Sequence, residues 1–216
     1  HLSKLQRHGI VYGDVVKQGL KWLMTRQNEE GSFDAGDLAD AVASLALVEA
    51  YGLTGSNLFK ESAFLALESV ARSRPRSPRE FFWKGLVLRR GEIAGGPTAH
   101  AEHPTNEGRD PFTWTMKALR TKNCPSPLTD LPADSEALFA TTLGQFVADG
   151  PGGESWKRWG TSLRNQLLKT TKESPTDCRS GSWSAPSLRA RLRRTGFNTL
   201  AAEIYYRYAN VLAGGL

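Results

Sequence analysis

Apolar side chains recur at helical rather than alternating spacing along most of the chain. Their recurrence at three and four residues predicts seven helices. These span residues 15–27, 37–51, 58–70, 113–122, 135–148, 156–171 and 197–212. The second is so rich in Ala, Leu and Val that we expect a buried, inner helix. Alternating patterns are scarce, and only 81–88 could form a short strand. The sequence therefore predicts an all-α fold.

Segment 72–109 interrupts this helical pattern. It contains four prolines, five glycines and two of the four histidines. Long stretches without secondary structure are uncommon in compact domains and are usually functional or mobile. A chain of 216 residues fits one domain. We therefore predict a single domain over residues 1–216, with a long, basic, Pro/Gly-rich loop at 72–109.

Two segments of the chain look like copies of each other. The first covers 20–33 and ends in Gly31-Ser32-Phe33, and the second covers 163–183 and ends in Gly181-Ser182-Trp183. Each copy joins a predicted helix to the next one. A repeated helix–turn–helix hairpin is typical of a solenoid or of a closed ring of hairpins.

The first copy resembles the QW repeat of the squalene-cyclase and prenyltransferase superfamily. It reads Trp22-Leu23-Met24-Thr25-Arg26-Gln27-Asn28-Glu29-Glu30-Gly31-Ser32-Phe33, with Phe33 where the family has Trp. In that superfamily the Gln caps a neighbouring helix and stacks against an aromatic ring of an adjacent repeat. The resemblance implies structural roles for Trp22, Gln27, Gly31, Phe33, Gly181 and Trp183.

Three further segments extend this resemblance, at 43–55, 113–119 and 203–208. Together they look like bacterial proteins that carry prenyltransferase/squalene-oxidase repeats. The family fold is an α/α-toroid. Because this chain has fewer helices than the full ring, the resemblance implies a small or incomplete toroid.

The acid motif of the terpene cyclases is missing. Those enzymes protonate an alkene with Asp-x-Asp-Asp, which does not occur here. Asp37 and Asp40 share a face at a helix start and are the weak catalytic candidates. Capping and complementing the helix dipole is the alternative role for both.

The zinc pattern of the prenyltransferases is also broken. In that family one residue separates the Asp ligand from the Cys ligand. Here Asp177 and Cys178 are adjacent, and no His follows them. Aromatic side chains could still line a cavity for an isoprenoid, although core packing explains them equally well. The pocket candidates are Phe112, Trp114, Tyr205 and Tyr206.

His100, Glu102 and His103 could bind a metal ion, since loop histidines serve as zinc ligands. Strong zinc signatures have a second ligand pair at fixed spacing, which is lacking, so a solvated loop is the alternative. We predict no cofactor.

The net charge is +6, and the excess is concentrated in two arginine clusters. They consist of Arg72, Arg74, Arg76 and Arg79, and of Arg189, Arg191, Arg193 and Arg194. Such clusters can bind nucleic acid or another polyanion. Solvated surface charge is the alternative.

Cys124 and Cys178 each follow a predicted helix. In a ring of hairpins, the turns that follow helices of the same direction lie on the same face. The two thiols could therefore form a disulfide. A bridge would indicate a secreted or periplasmic protein, and two free thiols are the alternative. Because residue 1 is His, a signal peptide could have been removed, and localisation stays unknown. No apolar run is long enough to predict a membrane span.

Three functions follow as hypotheses. The first is a non-catalytic binding or scaffold module that holds a protein or an apolar small molecule at the toroid face or axis, or a partner at the basic loops. The second is a terpene-cyclase or prenyltransferase-type enzyme acting on an isoprenoid. The third is a polyanion or nucleic-acid binder, which requires both arginine clusters on one face.

Overall fold

The computed structural model is all-α, as the sequence predicts. It describes residues 2–96, 110–120, 128–171 and 179–212. Within these ranges, side chains are described for residues 13 to 206. These residues form eight helices. They are α1 (Leu2–Arg26), α2 (Asp37–Thr54), α3 (Asn57–Arg72), α4 (Pro78–Ile93), α5 (Pro111–Arg120), α6 (Ser135–Asp149), α7 (Glu154–Thr170) and α8 (Leu188–Leu212).

All seven predicted helices are present, but α4 was not predicted. The expectation of a loop is wrong for 78–93, and the expectation of a strand at 81–88 is wrong as well, because both lie in α4. Ser77 caps this helix, its hydroxyl accepting a hydrogen bond from the Glu80 amide at 3.3 Å. Pro78 occupies the first turn, where its fixed φ and its missing N–H do no harm. The proline that suggested a loop in fact helps to start a helix.

The chain divides into two compact units, His1–Thr105 and Asn106–Leu216. In the first unit α2 packs against α3 and α4, and α1 also contacts it. Leu47 and Val48 of α2 are fully buried, as are Phe82 and Trp83 of α4. The prediction that the Ala/Leu/Val-rich helix lies inside is therefore confirmed.

Two charged side chains of α4 connect it to its neighbours. Lys84 is only 6% exposed, and its Nζ donates to the carbonyls of Ala71 at 2.9 Å and Ser73 at 2.8 Å. These carbonyls end α3, where a cation is favourable. Arg90 Nε lies 3.3 Å from Glu49 Oε1 of α2, and both side chains are 10% exposed.

The second unit is built around α6, which packs against α5, α7 and α8. Every residue from 135 to 146 is buried. Even Glu136, at the start of α6, is 1% exposed, and its Oε2 accepts a hydrogen bond from Arg193 Nη2 at 2.5 Å. Trp159 of α7 donates from Nε1 to Thr142 Oγ1 at 3.1 Å. Across the described ranges, no helix has the length and apolarity needed to cross a membrane.

Candidate functional site

The first QW-like turn joins three helices through Gln27. The Nε2 group donates to the carbonyl of Gly31 at 3.2 Å and to that of Ser62 at 2.9 Å. Backbone contact was expected at a helix end, whereas these carbonyls lie in the turn after α1 and inside α3. Gln27 therefore holds the α1–α2 hairpin against the side of α3.

Gly31 brings this turn against the α3 backbone. It is buried with φ at 85°, and a Cβ there would collide with the carbonyl of Leu65. The Asn28 side chain fixes the same turn, since its Oδ1 accepts from the amides of Glu30 at 3.1 Å and Ser32 at 2.9 Å. Phe33 is half-buried. The glycine of the motif thus serves close packing.

Asp40, one of the two acidic candidates, also organises this turn. Its carboxylate accepts from the Ser32 hydroxyl at 2.5 Å and from the amides of Phe33 at 3.2 Å and Ala35 at 3.0 Å. Asp37 is exposed in the first turn of α2. The geometry gives Asp40 a structural role, and it places Asp37 where an acid complements the helix dipole.

The second copy of the turn is closed by Trp183. The indole is buried, and its Nε1 donates to the carbonyl of Leu167 in the last turn of α7 at 3.1 Å. The Trp183 amide donates to Thr195 Oγ1 of α8 at 3.2 Å. Gly181 has φ at 80°, close to that of Gly31. In this copy the aromatic residue, rather than a Gln, joins the hairpin.

The four aromatic pocket candidates lie in different environments within the second unit. Trp114 is buried, and its ring occupies the space that a Cβ on Gly144 of α6 would need. Phe112 is half-buried. Tyr205 and Tyr206 of α8 are 47% and 79% exposed. Trp114 is thus a packing residue of the α5–α6 contact, whereas the two tyrosines face solvent.

A shallow groove of about 470 Å³ lies along α3 in the first unit, open to solvent. It is lined by Asn57, Lys60, Glu61, Phe64, Leu65 and Glu68. Half of these residues are charged, and Lys60 Nζ lies 5.8 Å from the centroid of the Phe64 ring. An enclosed, apolar and aromatic cavity would suit an isoprenoid better than this open groove with its charged lining.

The first arginine cluster contains an ordered segment, 72–76, which we call the arginine segment. Arg72, Arg74 and Arg76 are exposed, whereas the alternate residues Ser73 and Pro75 are half-buried. The Ser73 backbone is extended, with φ at −61° and ψ at 152°. Three exposed arginines thus lie within five residues of chain, at the end of α3 and in its connection to α4.

Hydrogen bonds hold the inner side of the arginine segment. The buried Lys84 binds the Ser73 carbonyl, and the Ser73 hydroxyl donates to Val70 O at 2.7 Å. The Arg76 amide donates to Glu80 Oε2 at 2.6 Å. Arg72 Nη2 donates to the Glu30 carbonyl at 2.7 Å, a contact that does not neutralise its charge. The sequence shows this cluster, but only the fold shows that its backbone is fixed.

Two arginines of the second cluster form hydrogen bonds within the second unit. Arg193 bonds Glu136, and Arg194 Nη1 donates to the Ser184 carbonyl at 2.9 Å. Arg189 is exposed and Arg191 is half-buried. The clusters belong to different units, so their placement on one face stays a prediction.

A further exposed surface lies on α1, and sequence reasoning missed it. Trp22 and Arg26 are both exposed, and we call this pair the Trp22 face. The Arg26 guanidinium carbon lies 5.4 Å from the centroid of the Trp22 ring. The signal in the sequence is the spacing of four between Trp22 and Arg26, which puts both on one side of a helix. Lys17 and Lys21 are also exposed, but they are turned roughly 100–140° from Trp22 around the helix.

Several predicted site residues lie outside the described residues. They are the metal candidates His100, Glu102 and His103 and the disulfide candidates Cys124 and Cys178. Within the described part of the chain, no three or more His, Cys, Asp or Glu residues are grouped to hold a metal ion. Comparisons with family models, with curated proteins and with solved structures give no match to this chain.

Proposed function

We propose that this chain is a non-catalytic binding module of the terpenoid-cyclase-like toroid kind, and that its arginine segment holds a polyanionic partner. The QW-like residues support the first part, because Gln27, Gly31 and Trp183 all fasten hairpins. Asp40 supports it too, because its carboxylate is engaged by the turn before α2.

The observation that carries the second part is a group of exposed arginines on a fixed backbone. Arg72, Arg74 and Arg76 lie within five residues of chain and are all exposed. The polyproline-II-like backbone at Ser73 advances about 3.1 Å per residue, so these residues form a short, dense stretch of positive charge. A polymer with regularly spaced phosphates can contact several members of such a group at once.

Arginine is the suitable residue for this task. Its planar guanidinium presents donors in a fork that matches phosphate oxygens. Because Lys84 and Glu80 already hold the backbone of the segment, less ordering is required when a partner binds. The net charge of +6 adds a long-range attraction for polyanions.

The test is calorimetric titration with inorganic polyphosphate at several salt concentrations. The variant is Arg74→Gln with Arg76→Gln. The matched control is Arg158→Gln with Arg164→Gln, which removes the same charge from exposed positions of α7. If both arginines contact phosphate, the slope of log K against log salt should become shallower by about 1.4 to 1.8.

The control should bind polyphosphate with nearly the wild-type slope. An equal effect in the two double variants would show that only net charge matters, and would contradict a site at the arginine segment. Absence of binding by the wild-type protein at low salt would reject the polyanion function itself. Far-UV circular dichroism checks that both variants remain folded.

A further inference from the structure

We infer that the Trp22 face stacks a nucleobase, so that the polyanion held by this chain is a single-stranded nucleic acid. This inference rests on the proposed function, because the arginine segment would supply the phosphate contacts. Proteins that bind single strands combine positive charge along the backbone with aromatic side chains on which the bases stack.

Trp22 differs from every other tryptophan of the chain. The chain has six, and the remaining five are buried: Trp83, Trp114, Trp156, Trp159 and Trp183. Trp22 is 57% exposed, although it lies in the motif whose other members fasten the hairpin. The packing of the first unit therefore does not account for a large aromatic ring at this position.

The surroundings of Trp22 favour an anionic aromatic ligand. Arg26 lies over the ring at 5.4 Å, a cation–π distance that helps to fix the orientation of the indole. A base offers a flat π surface to the indole, and a flanking phosphate is complementary to the Arg26 guanidinium.

The Trp22 face and the arginine segment belong to one compact unit. Gln27, one residue after α1, bonds the carbonyl of Ser62 in α3. The turn that follows is bonded to the start of the arginine segment by Arg72, through the Glu30 carbonyl. The turn after α1 is thus fixed to α3 by two hydrogen bonds, one at Ser62 and one at Arg72.

The experiment compares oligo(dT) with an abasic oligonucleotide of the same length and phosphate number. Trp22→Leu should weaken oligo(dT) binding on the order of tenfold and leave abasic binding unchanged, because only the stacked base is lost. Arg74→Gln with Arg76→Gln should weaken both. Tyr206→Leu, which removes an exposed aromatic ring from α8, is the control and should change neither.

Fluorescence gives a second readout. Oligo(dT) should quench tryptophan emission in the wild-type protein, and Trp22→Leu should remove most of that quenching. Abasic strands should quench neither protein.

Three results would overturn the inference. One is an equal effect of Trp22→Leu on oligo(dT) and on the abasic strand. Another is that Trp22→Leu weakens the binding of a fully paired duplex as much as the binding of oligo(dT), because the bases of a duplex cannot stack on the ring. The third is dissociation of a wild-type dimer by Trp22→Leu, seen by sedimentation, which would make α1 a self-association surface with the exposed Val15 and Val16. In each case polyphosphate binding through the arginine segment would still hold, so the two proposals fail separately.

Discussion

Replacing Gly31 by Ala tests whether the first QW-like turn is a packing device. Gly31 has φ at 85°, and an added Cβ would collide with the backbone carbonyl of Leu65 in α3. A carbonyl in the middle of a helix cannot rotate away as a side chain can. The turn would have to move off α3, which would weaken the Gln27–Ser62 hydrogen bond as well.

The expected loss of stability follows from three contributions. A left-handed backbone conformation costs a residue with a Cβ about 1–2 kcal/mol. Overpacking adds about 1–3 kcal/mol. The reduced freedom of the unfolded chain offsets about 0.4–1 kcal/mol. The free energy of unfolding of the first unit should therefore fall by about 1–5 kcal/mol, with the middle of that range near 3 kcal/mol.

Two other glycines separate the clash from the backbone strain. Gly55 ends α2 in the same unit with φ at 62°, and Gly181 occupies the equivalent position of the second copy with φ at 80°. A Cβ would meet no atom within 4 Å at either position. Gly55→Ala and Gly181→Ala should each cost only about 1 kcal/mol, since just the backbone term applies.

Hydrogen exchange measured by mass spectrometry is the suitable assay, because it reports on each unit separately. Exchange in α2 and α3 should accelerate strongly in Gly31→Ala and only slightly in Gly55→Ala. Urea unfolding followed by circular dichroism gives the overall free energy. The reasoning is refuted if Gly31→Ala and Gly55→Ala destabilise the first unit equally, because the contact with Leu65 would then contribute nothing.

Further substitutions test the other contacts by urea unfolding. Gln27→Ala should cost about 1 kcal/mol through the lost bond to Ser62, and an unchanged midpoint would mean that Gln27 does not join the hairpin to α3. Asp40→Asn should cost about 2 kcal/mol, because the amide cannot accept from both the turn amides and the Ser32 hydroxyl, whereas Asp37→Asn at the exposed first turn should cost well under 1 kcal/mol. Trp183→Phe should cost about 1 kcal/mol by leaving the Leu167 carbonyl without the indole donor, and a cost near zero would reject that role.

The seven predicted helices are correct because helical periodicity is a local property of the sequence. An apolar residue every three or four positions gives one buried face, whatever lies across from it. The ends of helices are local as well, and Asp134 caps α6 by accepting from the amides of Glu136 and Ala137. Helix α4, which was not predicted, also has a local start signal in Ser77 and Pro78. There the error was one of interpretation, since a proline was taken as a breaker where it occupies a first turn.

The sequence by itself also determined which residues form the turns. Gly31 and Gly181 both have positive φ, and both precede the aromatic residue that the repeat pattern marks. The functions of the residues around those turns were not determined by the sequence. Gln27 was expected to contact backbone at a helix end, but its Nε2 donates to the carbonyl of Ser62, 35 positions away and inside α3. Asp40 was a weak catalytic candidate in the sequence, and only the structure shows that its carboxylate accepts hydrogen bonds from Ser32, Phe33 and Ala35.

Only the tertiary structure decided which charged and aromatic side chains remain available to a partner. Trp22 and Trp183 both belong to the repeated segments, yet Trp22 is exposed whereas Trp183 is buried and its indole donates to the Leu167 carbonyl. The two arginine clusters look alike in sequence, yet Arg193 is bonded to Glu136 while Arg74 projects from a fixed backbone. The physical reason is that exposure and pairing depend on residues far apart in the chain, which packing brings together and periodicity does not specify.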